Sequence, residues 1–255
     1  MTPQMSHTFR ASHKFTWQGL LPHGRLTRPQ APTPCMHAGE DNELVTPTVD
    51  LNNHHIDASY DGPRMAPRVR AADDPKPEDA PEEEYQMTEE FVKDMMAAFK
   101  AQKKVHLRFV LEILIAFQNI VKELPSLVDV TIEPEAHITV CGDTHGQFFD
   151  LMHIFELNGT PSVENPYVFN GDFVDRGSWS VEVILTLMAW KVLEPSCVHL
   201  TRGNHEAMSL NKIYGFEGEV KAKYNQKLMD VFRCAARTRP RVPKLIENSC
   251  SLVLR

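Results

Sequence analysis

Four short β-rich runs alternate with helical stretches in the middle of this sequence, and that alternation constrains the fold more than any other feature. Strands that alternate with helices predict βαβ units and a mainly parallel sheet, so the expected fold class is α/β. Ligands of such sheets bind at the loops that leave the carboxyl ends of the strands. The predicted strands are Val128–Ile132, His137–Cys141, Tyr167–Phe169 and Val198–Leu200, and the predicted helices are Phe148–Leu157 and Trp179–Leu193.

The first of these loops, Gly142–Gly146, contains an aspartate and a histidine two residues apart. At a turn after a strand, the side chains of Asp143 and His145 can both face one metal ion. The flanking glycines allow the backbone to fold tightly around it. The same pattern also fits a capping aspartate beside an unrelated histidine, so this motif needs support from the others.

The second loop, Asn170–Gly177, again follows an apolar run. Asp172 lies at the strand end, where a carboxylate can bridge two cations. Asp175 lies one turn further, and Arg176 offers a planar, two-pronged donor suited to phosphate. A local salt bridge between Asp175 and Arg176 is the structural alternative.

The third loop, Arg202–Glu206, follows the last predicted strand. Asn204 supplies a neutral amide oxygen that a divalent cation accepts, and His205 can exchange a proton near neutral pH. Three such motifs, each at a strand end, favour one metal-dependent active site over three unrelated structural features.

In this order, the motifs resemble the signature of the metal-dependent phosphoprotein phosphatases, the serine/threonine branch of the calcineurin-like metallophosphoesterases. The segments Gln102–His106, Ile154–Gly159 and Tyr214–Tyr224 resemble the type five members of that branch. The resemblance extends over about residues 87–232. It implies a calcineurin-like metallophosphatase core, in which layered sheets are flanked by helices.

The resemblance also implies a dinuclear metal site. Asp143, His145 and Asp172 would bind the first ion, and Asp172 would bridge to a second ion that Asn204 also binds. Two divalent, manganese- or iron-like ions would activate a water for attack on phosphoserine or phosphothreonine.

The remaining motif residues would serve the phosphoryl group and the leaving oxygen. The resemblance implies that His205 protonates the leaving oxygen while Asp175 orients its ring. Arg176 would bind the phosphoryl oxygens, and Arg202 and Glu206 would support the loops. A phosphodiesterase or diphosphatase of the wider superfamily is less favoured, because the Asp175–Arg176 pair and Glu206 indicate the protein phosphatase branch.

The sequence departs from the family after His205, because no further histidine follows, although the family uses two more to complete the second metal site. The resemblance ends near Phe232, where the basic run Arg233–Arg241 begins. We therefore expect a truncated catalytic domain that lacks its carboxyl-terminal half and has impaired phosphatase activity. A catalytically inactive truncated isoform that acts as a binding fragment, or a gene-model artefact, are the alternatives.

The expected organisation has four parts. Residues 1–86 are predicted to be a disordered tail and acidic linker, because they offer little periodic apolar surface. Residues 87–125 are predicted to form a helical lead-in that begins at the N-cap Thr88. Residues 126–232 would form the N-terminal half of the catalytic domain, and residues 233–255 a divergent tail.

Composition limits the partners. A net charge of -7 argues against a nucleic-acid partner, and no apolar run is long enough to span a membrane. The expected partners are phosphoprotein substrates. No repeat of about 34 residues occurs in residues 1–85, so chaperone docking through helical repeats is not supported.

The expected location is the cytoplasm, the nucleus or both, because the 5 cysteines form no paired motif. Residues 1–39 lack acidic residues, as a mitochondrial presequence does, but their prolines disfavour the helix that such a sequence needs.

Overall fold

The computed structural model describes the backbone of residues 7–10, 49–70, 76, 80–125, 127–132, 137–237, 242–247 and 251–253. The suggested presequence character of residues 1–39 therefore lies almost wholly outside the described residues. Within these ranges the strands are β1 (His7–Arg10), β2 (Ala66–Pro67), β3 (Tyr85–Gln86), β4 (Leu127–Ile132), β5 (His137–Cys141), β6 (Tyr167–Phe169), β7 (Val198–Leu200), β8 (Val242–Glu247) and β9 (Ser251–Val253). The α-helices are α1 (Glu89–Lys100), α2 (Leu107–Lys122), α3 (Phe148–Asn158), α4 (Ser180–Leu193), α5 (Met208–Tyr214), α6 (Phe216–Lys223) and α7 (Gln226–Arg237).

The central sheet has the strand order β1-β5-β6-β7. Strands β5, β6 and β7 are parallel, and β1 pairs with β5 in the antiparallel direction at one edge. The Cα register aligns Thr139 with Tyr167, and Tyr167 with Val198. The prediction of a mainly parallel α/β sheet is confirmed, and β5, β6 and β7 have the predicted bounds.

Helices α1 and α2 follow the amphipathic pattern of their sequences. The Thr88 side chain accepts a hydrogen bond from the Phe91 backbone N–H at 3.2 Å, and two glutamates occupy the first turn of α1. These features satisfy a free backbone donor and complement the positive end of the helix dipole. The predicted helical lead-in is therefore present, and its apolar residues are buried.

The main hydrophobic core lies between the sheet and these helices. Helix α4 lies at its centre, with α1, α2 and α3 packed against it, and Trp190 is fully buried. Within the described part of the chain, no helix combines the length and the hydropathy needed to cross a bilayer.

Part of the predicted tail, residues 1–86, is ordered in the structure, whereas residues 1–6 and 11–48 lie outside the described residues. Residues 49–70 and 80–86, here called the N-terminal arm, pack against α2 and are closed by the antiparallel pair β2–β3. Met65 is buried, and the Tyr60 hydroxyl accepts a hydrogen bond from the His106 backbone N–H at 3.1 Å. A few contacts with residues distant in the sequence order this segment. Its own sequence has too little apolar periodicity to predict that order.

The domain boundary at residue 232 stays a prediction, but a helix runs across it. Helix α7 continues to Arg237, and both Cys234 and Ala235 are buried. The predicted boundary lies where the family resemblance ends and a basic run begins, but apolar residues at helical spacing continue beyond it. Beyond it, β8 pairs in parallel with β4, and β9 pairs with β8 in the antiparallel direction.

Candidate metal centre

The loops that follow β5, β6 and β7 meet at the carboxyl edge of the central sheet. Backbone hydrogen bonds join the first two loops, because Thr144 N and His145 N both donate to the Asp172 carbonyl at 3.2 and 3.0 Å. Gly146 N also donates to the Phe173 carbonyl at 2.8 Å. The predicted clustering of the motifs is thus present.

Two glycines permit this close approach. A Cβ at Gly177 would collide with the His145 carbonyl, and a Cβ at Gly203 would collide with the backbone nitrogen and side chain of Asp172. Any side chain at either position would therefore separate the loops. The glycines of the second and third motifs serve loop packing as well as turn formation.

His145 has the environment of a metal ligand. Its Nδ1 lies 2.9 Å from the Val174 carbonyl oxygen, which requires the proton to be on Nδ1 and leaves a lone pair on Nε2. This Nε2 is buried, and among the described residues it has no hydrogen-bond partner. It lies 3.7 Å from Asp143 Oδ2, whose side chain is 38% exposed. A buried, unused lone pair beside a carboxylate fits a divalent cation.

Two further ligand atoms lie close to His145. His145, Asp172 and His205 each offer one ligand atom, and these three atoms lie within 4.8 Å of one another. The backbone N–H of His205 donates to Asp172 Oδ1 at 2.9 Å. The donor set of imidazole nitrogen and carboxylate oxygen suits manganese-, iron- or zinc-like ions. Asn204 begins a 3-10 turn and is exposed, and its ligand role remains a prediction.

The His205 ring is held from two sides. Its Nδ1 lies 2.9 Å from Asp175 Oδ2, and Asp175 is fully buried. Its Nε2 lies 3.1 Å from the Arg176 guanidinium, which can only donate. A neutral ring with its proton on Nδ1 satisfies both contacts. The predicted pairing of Asp175 with His205 is therefore present, whereas Asp175 and Arg176 share no salt bridge among the described ion pairs.

Arg176 lies at the exposed rim of the site. Its guanidinium lies over the Tyr214 ring at 6.0 Å from the centroid, and the same ring is 5.0 Å from the His205 ring. Sequence reasoning did not identify Tyr214 as a site residue. The phosphate-binding role of Arg176 remains a prediction.

Glu206 joins the second and third loops. Its carboxylate accepts backbone hydrogen bonds from Asp172 at 2.9 Å, Phe173 at 2.9 Å and Gly203 at 2.8 Å. Glu206 thus links the second and third loops, and its supporting role in catalysis remains a prediction. Arg202 is half-buried, and its supporting role remains a prediction.

Asn211 is a second residue that sequence reasoning missed. This buried residue of α5 donates from Nδ2 to the His205 carbonyl at 2.7 Å and to Asp175 Oδ2 at 3.3 Å. It lies outside the three motifs, and no feature of its spacing distinguishes it from a surface asparagine.

Comparison with known families agrees with this geometry. The family model for calcineurin-like phosphoesterases matches residues 136–241. This segment is a calcineurin-like phosphoesterase domain. A second family model, the PPP5 TPR repeat region, matches residues 35–129.

Related proteins give the same assignment. The chain is 59% identical to serine/threonine-protein phosphatase 5 of Arabidopsis thaliana over 147 residues, which cover 58% of this chain and 27% of that protein. It is 46% identical to the human protein of the same name over 196 residues, which cover 76% of this chain and 36% of that protein. The chain thus spans about a third or less of the length of these relatives.

A solved structure supports the fold directly. It is a serine/threonine phosphatase from Saccharomyces cerevisiae with similarity to human phosphatase PP5, and it superposes with a TM-score of 0.61 at 40% identity. The match covers 62% of this chain and 51% of the yeast chain. The calcineurin-like α/β fold is therefore confirmed.

The comparison corrects the expectation about helical repeats. The family model for the PPP5 TPR repeat region matches residues 35–129. The expectation that helical repeats are missing, and that chaperone docking is therefore unsupported, does not hold. The α-helices that the structure describes within that range are α1 and α2, and both pack on the phosphoesterase core.

Proposed function

We propose that the phosphoesterase domain of this chain is a metal-dependent protein serine/threonine phosphatase site that hydrolyses phosphoserine and phosphothreonine. One observation carries the proposal: the buried, unused Nε2 of His145 lies beside Asp143 and close to both Asp172 and His205. A purely structural histidine would be expected to have a partner at that nitrogen.

Residues of all three loops would hold the metal ions. Asp143, His145 and Asp172 would bind the first ion, and Asp172 would bridge to a second ion that Asn204 also contacts. When bound, manganese- or iron-like ions supply Lewis-acid polarisation of the phosphoryl oxygens and activation of water. Glu206 accepts hydrogen bonds from Asp172 N and Gly203 N and so holds the second and third loops together.

The chain's own residues would serve the leaving group and the phosphoryl oxygens. Once its Nε2 has taken up a proton from solvent, His205 would donate that proton to the departing serine or threonine oxygen, and Asp175 would stabilise the positively charged ring through Nδ1. Arg176, which contacts that Nε2 in this structure, would turn to the phosphoryl oxygens when substrate binds.

The second metal site limits activity in this proposal. No histidine follows His205 in the sequence, so Asp172 and Asn204 are the two protein ligands proposed for the second ion. Two oxygen ligands compete poorly with water for a divalent cation. We therefore propose that the residues of this chain on their own hydrolyse phosphoproteins slowly.

Hydrolysis of a phosphoserine peptide with added manganese tests the proposal. The proteins compared are this chain, the same chain joined to a complete carboxyl-terminal half from a family member, and the His205→Asn variant of the joined chain. We expect turnover by the joined chain, a loss of at least about 100-fold in His205→Asn, and weak turnover by the chain alone.

Three results would contradict parts of the proposal. A folded joined chain with no turnover would refute a phosphatase site. Turnover that survives His205→Asn unchanged would refute the assigned general acid. Robust turnover by the chain alone would refute the limiting role of the second metal site.

A further inference from the structure

We propose that Asn211 is a positioning residue for the His205–Asp175 pair, an inference that rests on the proposed function. Asn211 lies in α5, outside the three loop motifs, and it is 5% exposed. Its amide group donates to the His205 carbonyl at 2.7 Å and to Asp175 Oδ2 at 3.3 Å.

The buried carboxylate of Asp175 needs this donor. Asp175 is 0% exposed, so its charge cannot be solvated by bulk water, and hydrogen bonds must replace that solvation. Phe216 N donates to Oδ1 at 3.0 Å, while His205 Nδ1 and Asn211 Nδ2 both face Oδ2. Loss of the Asn211 amide would leave the imidazole as the remaining side-chain donor to Oδ2 in the described contacts.

Asn211 donates to two acceptor atoms, the His205 carbonyl and Asp175 Oδ2, so it does more than solvate a buried charge. One planar amide group links the backbone of His205 to the carboxylate that orients the His205 ring. The backbone of Asp175 has a φ of 71°, a left-handed conformation that a non-glycine residue keeps only when its surroundings hold it there. Asn211 thereby fixes the distance between the two members of the pair.

Asparagine is the residue type that this position requires. Two donors on one short, planar group are needed to reach two acceptors at once. Aspartate would place a second carboxylate against Asp175, and leucine has a similar shape but no donor. Asn211→Leu therefore removes the hydrogen bonds while it preserves most of the volume.

The measurement is the nitrogen and proton NMR signature of the His205 ring in the full chain at one fixed pH. In the parent, the Nδ1 proton should resonate at low field and exchange slowly with water, because Asp175 accepts it. In Asn211→Leu, we expect that proton to move upfield and to exchange at least about tenfold faster, as the loss of a hydrogen bond to a charged group implies. The signal that disappears in His205→Asn assigns the ring.

Asn165 provides a matched control. Its amide also donates to two carbonyls, those of Asn158 at 2.8 Å and Thr160 at 3.1 Å, but this turn precedes β6 and lies away from the pair. Asn165→Leu should leave the His205 signature unchanged. If Asn211→Leu does not fold, Asn211→Ser gives the same readout, because a serine hydroxyl cannot reach both acceptors.

A double variant tests whether Asn211 acts through Asp175. In the Asp175→Asn background, Asn211→Leu should add little to the change in the His205 signature, whereas independent effects would add. An unchanged His205 signature in folded Asn211→Leu or Asn211→Ser would overturn the proposal. So would an equal change in Asn165→Leu.

This readout separates the inference from the proposed function. A shifted His205 signature together with an inactive joined chain would refute the phosphatase and leave the positioning role intact. In an active joined chain, we expect Asn211→Leu to lower kcat about tenfold with KM changed by less than about twofold, because the loss falls on leaving-group protonation. An active joined chain whose kcat is unaffected by Asn211→Leu would refute the positioning role alone.

Discussion

The metal-site loops and the N-terminal arm are both rich in charged residues, but they differ in how far their sequences determine them. Glycines are frequent in the loops and prolines occur in the arm, and neither region has a strong apolar period. The loops could be placed by residue, because aspartate and histidine at strand ends have few chemical uses. The arm is predicted to be disordered because its own sequence offers little periodic apolar surface. Its order depends on residues of α2 that are distant in the sequence.

The contacts of the arm show where its order comes from. Arg108 is 2% exposed, and its guanidinium donates to the carbonyl oxygens of Leu51 and Glu83 and to the Glu112 carboxylate. One buried side chain of α2 thus binds both segments of the arm. Removal of that single residue should matter more than any change within the arm itself.

The loops are held in a different way. His145, Asp172, Asp175 and Arg176 all have positive φ values, which non-glycine residues adopt only when many contacts oppose the strain. The backbone hydrogen bonds between the loops and the carboxylate of Glu206 provide those contacts. The loops are therefore fixed by many interactions, and the arm by few.

Metal binding tests the loop side of the comparison. Asp143→Asn is expected to weaken manganese binding at least about tenfold, because it removes a charged ligand but leaves the loop backbone in place. Isothermal titration calorimetry measures the affinity for manganese. Asp150→Asn is the control, since Asp150 is exposed nearby on α3 and bonds to Gln147. Equal binding by parent and Asp143→Asn would refute the ligand assignment.

The arm side of the comparison is tested by Arg108→Met. We expect the free energy of unfolding to fall by about 3 kcal/mol, because the change leaves the partly buried Glu112 without its ion pair. Burial raises the pKa of Glu112, and the Arg108 charge opposes that rise. Urea denaturation measures the loss, and proteolysis should then cut within residues 49–70.

An exposed pair supplies the control for Arg108→Met. Lys100 and Glu156 lie 3.0 Å apart, with side chains that are 46% and 62% exposed. Lys100→Met should change the free energy of unfolding by less than about 0.5 kcal/mol. Similar losses in the two variants would mean that Arg108 is not the anchor of the arm.

Sequence reasoning succeeded where one residue type implied one environment. The apolar runs of β5 to β7 predicted a parallel sheet, and the motifs placed Asp143, His145 and Asp172 at its carboxyl edge. It failed for Asn211, because a buried asparagine is recognised only by its partners, and these come from two other loops. It made no prediction for α7, which runs across the point where the family resemblance ends.

The smallest expected effect is a loss of arm stability at acidic pH, which depends on His106 at the start of α2. Its neutral Nδ1 accepts a hydrogen bond from the Arg108 backbone N–H at 3.2 Å, and its ring lies 5.4 Å from that of Tyr60. Burial, followed by the charges of His54, Arg64 and Arg108, lowers the pKa of His106 below its ordinary value of 6.5.

A lowered pKa means that the folded chain binds this proton less readily than the unfolded chain does. The stability contributed by neutral His106 is therefore fully present above its ordinary pKa and is lost as pH falls through the lower, folded-state pKa. The protonated ring can no longer accept from Arg108 N, and its charge opposes the helix dipole, so the loss should be roughly 1 kcal/mol. Thermal unfolding and proteolysis of the arm at about pH 7.5 and about pH 5.5 measure it. His106→Asn keeps an N-cap acceptor that does not titrate, and it should lose less stability on acidification than the parent does. An identical acid response in the two proteins would show that His106 does not control the arm.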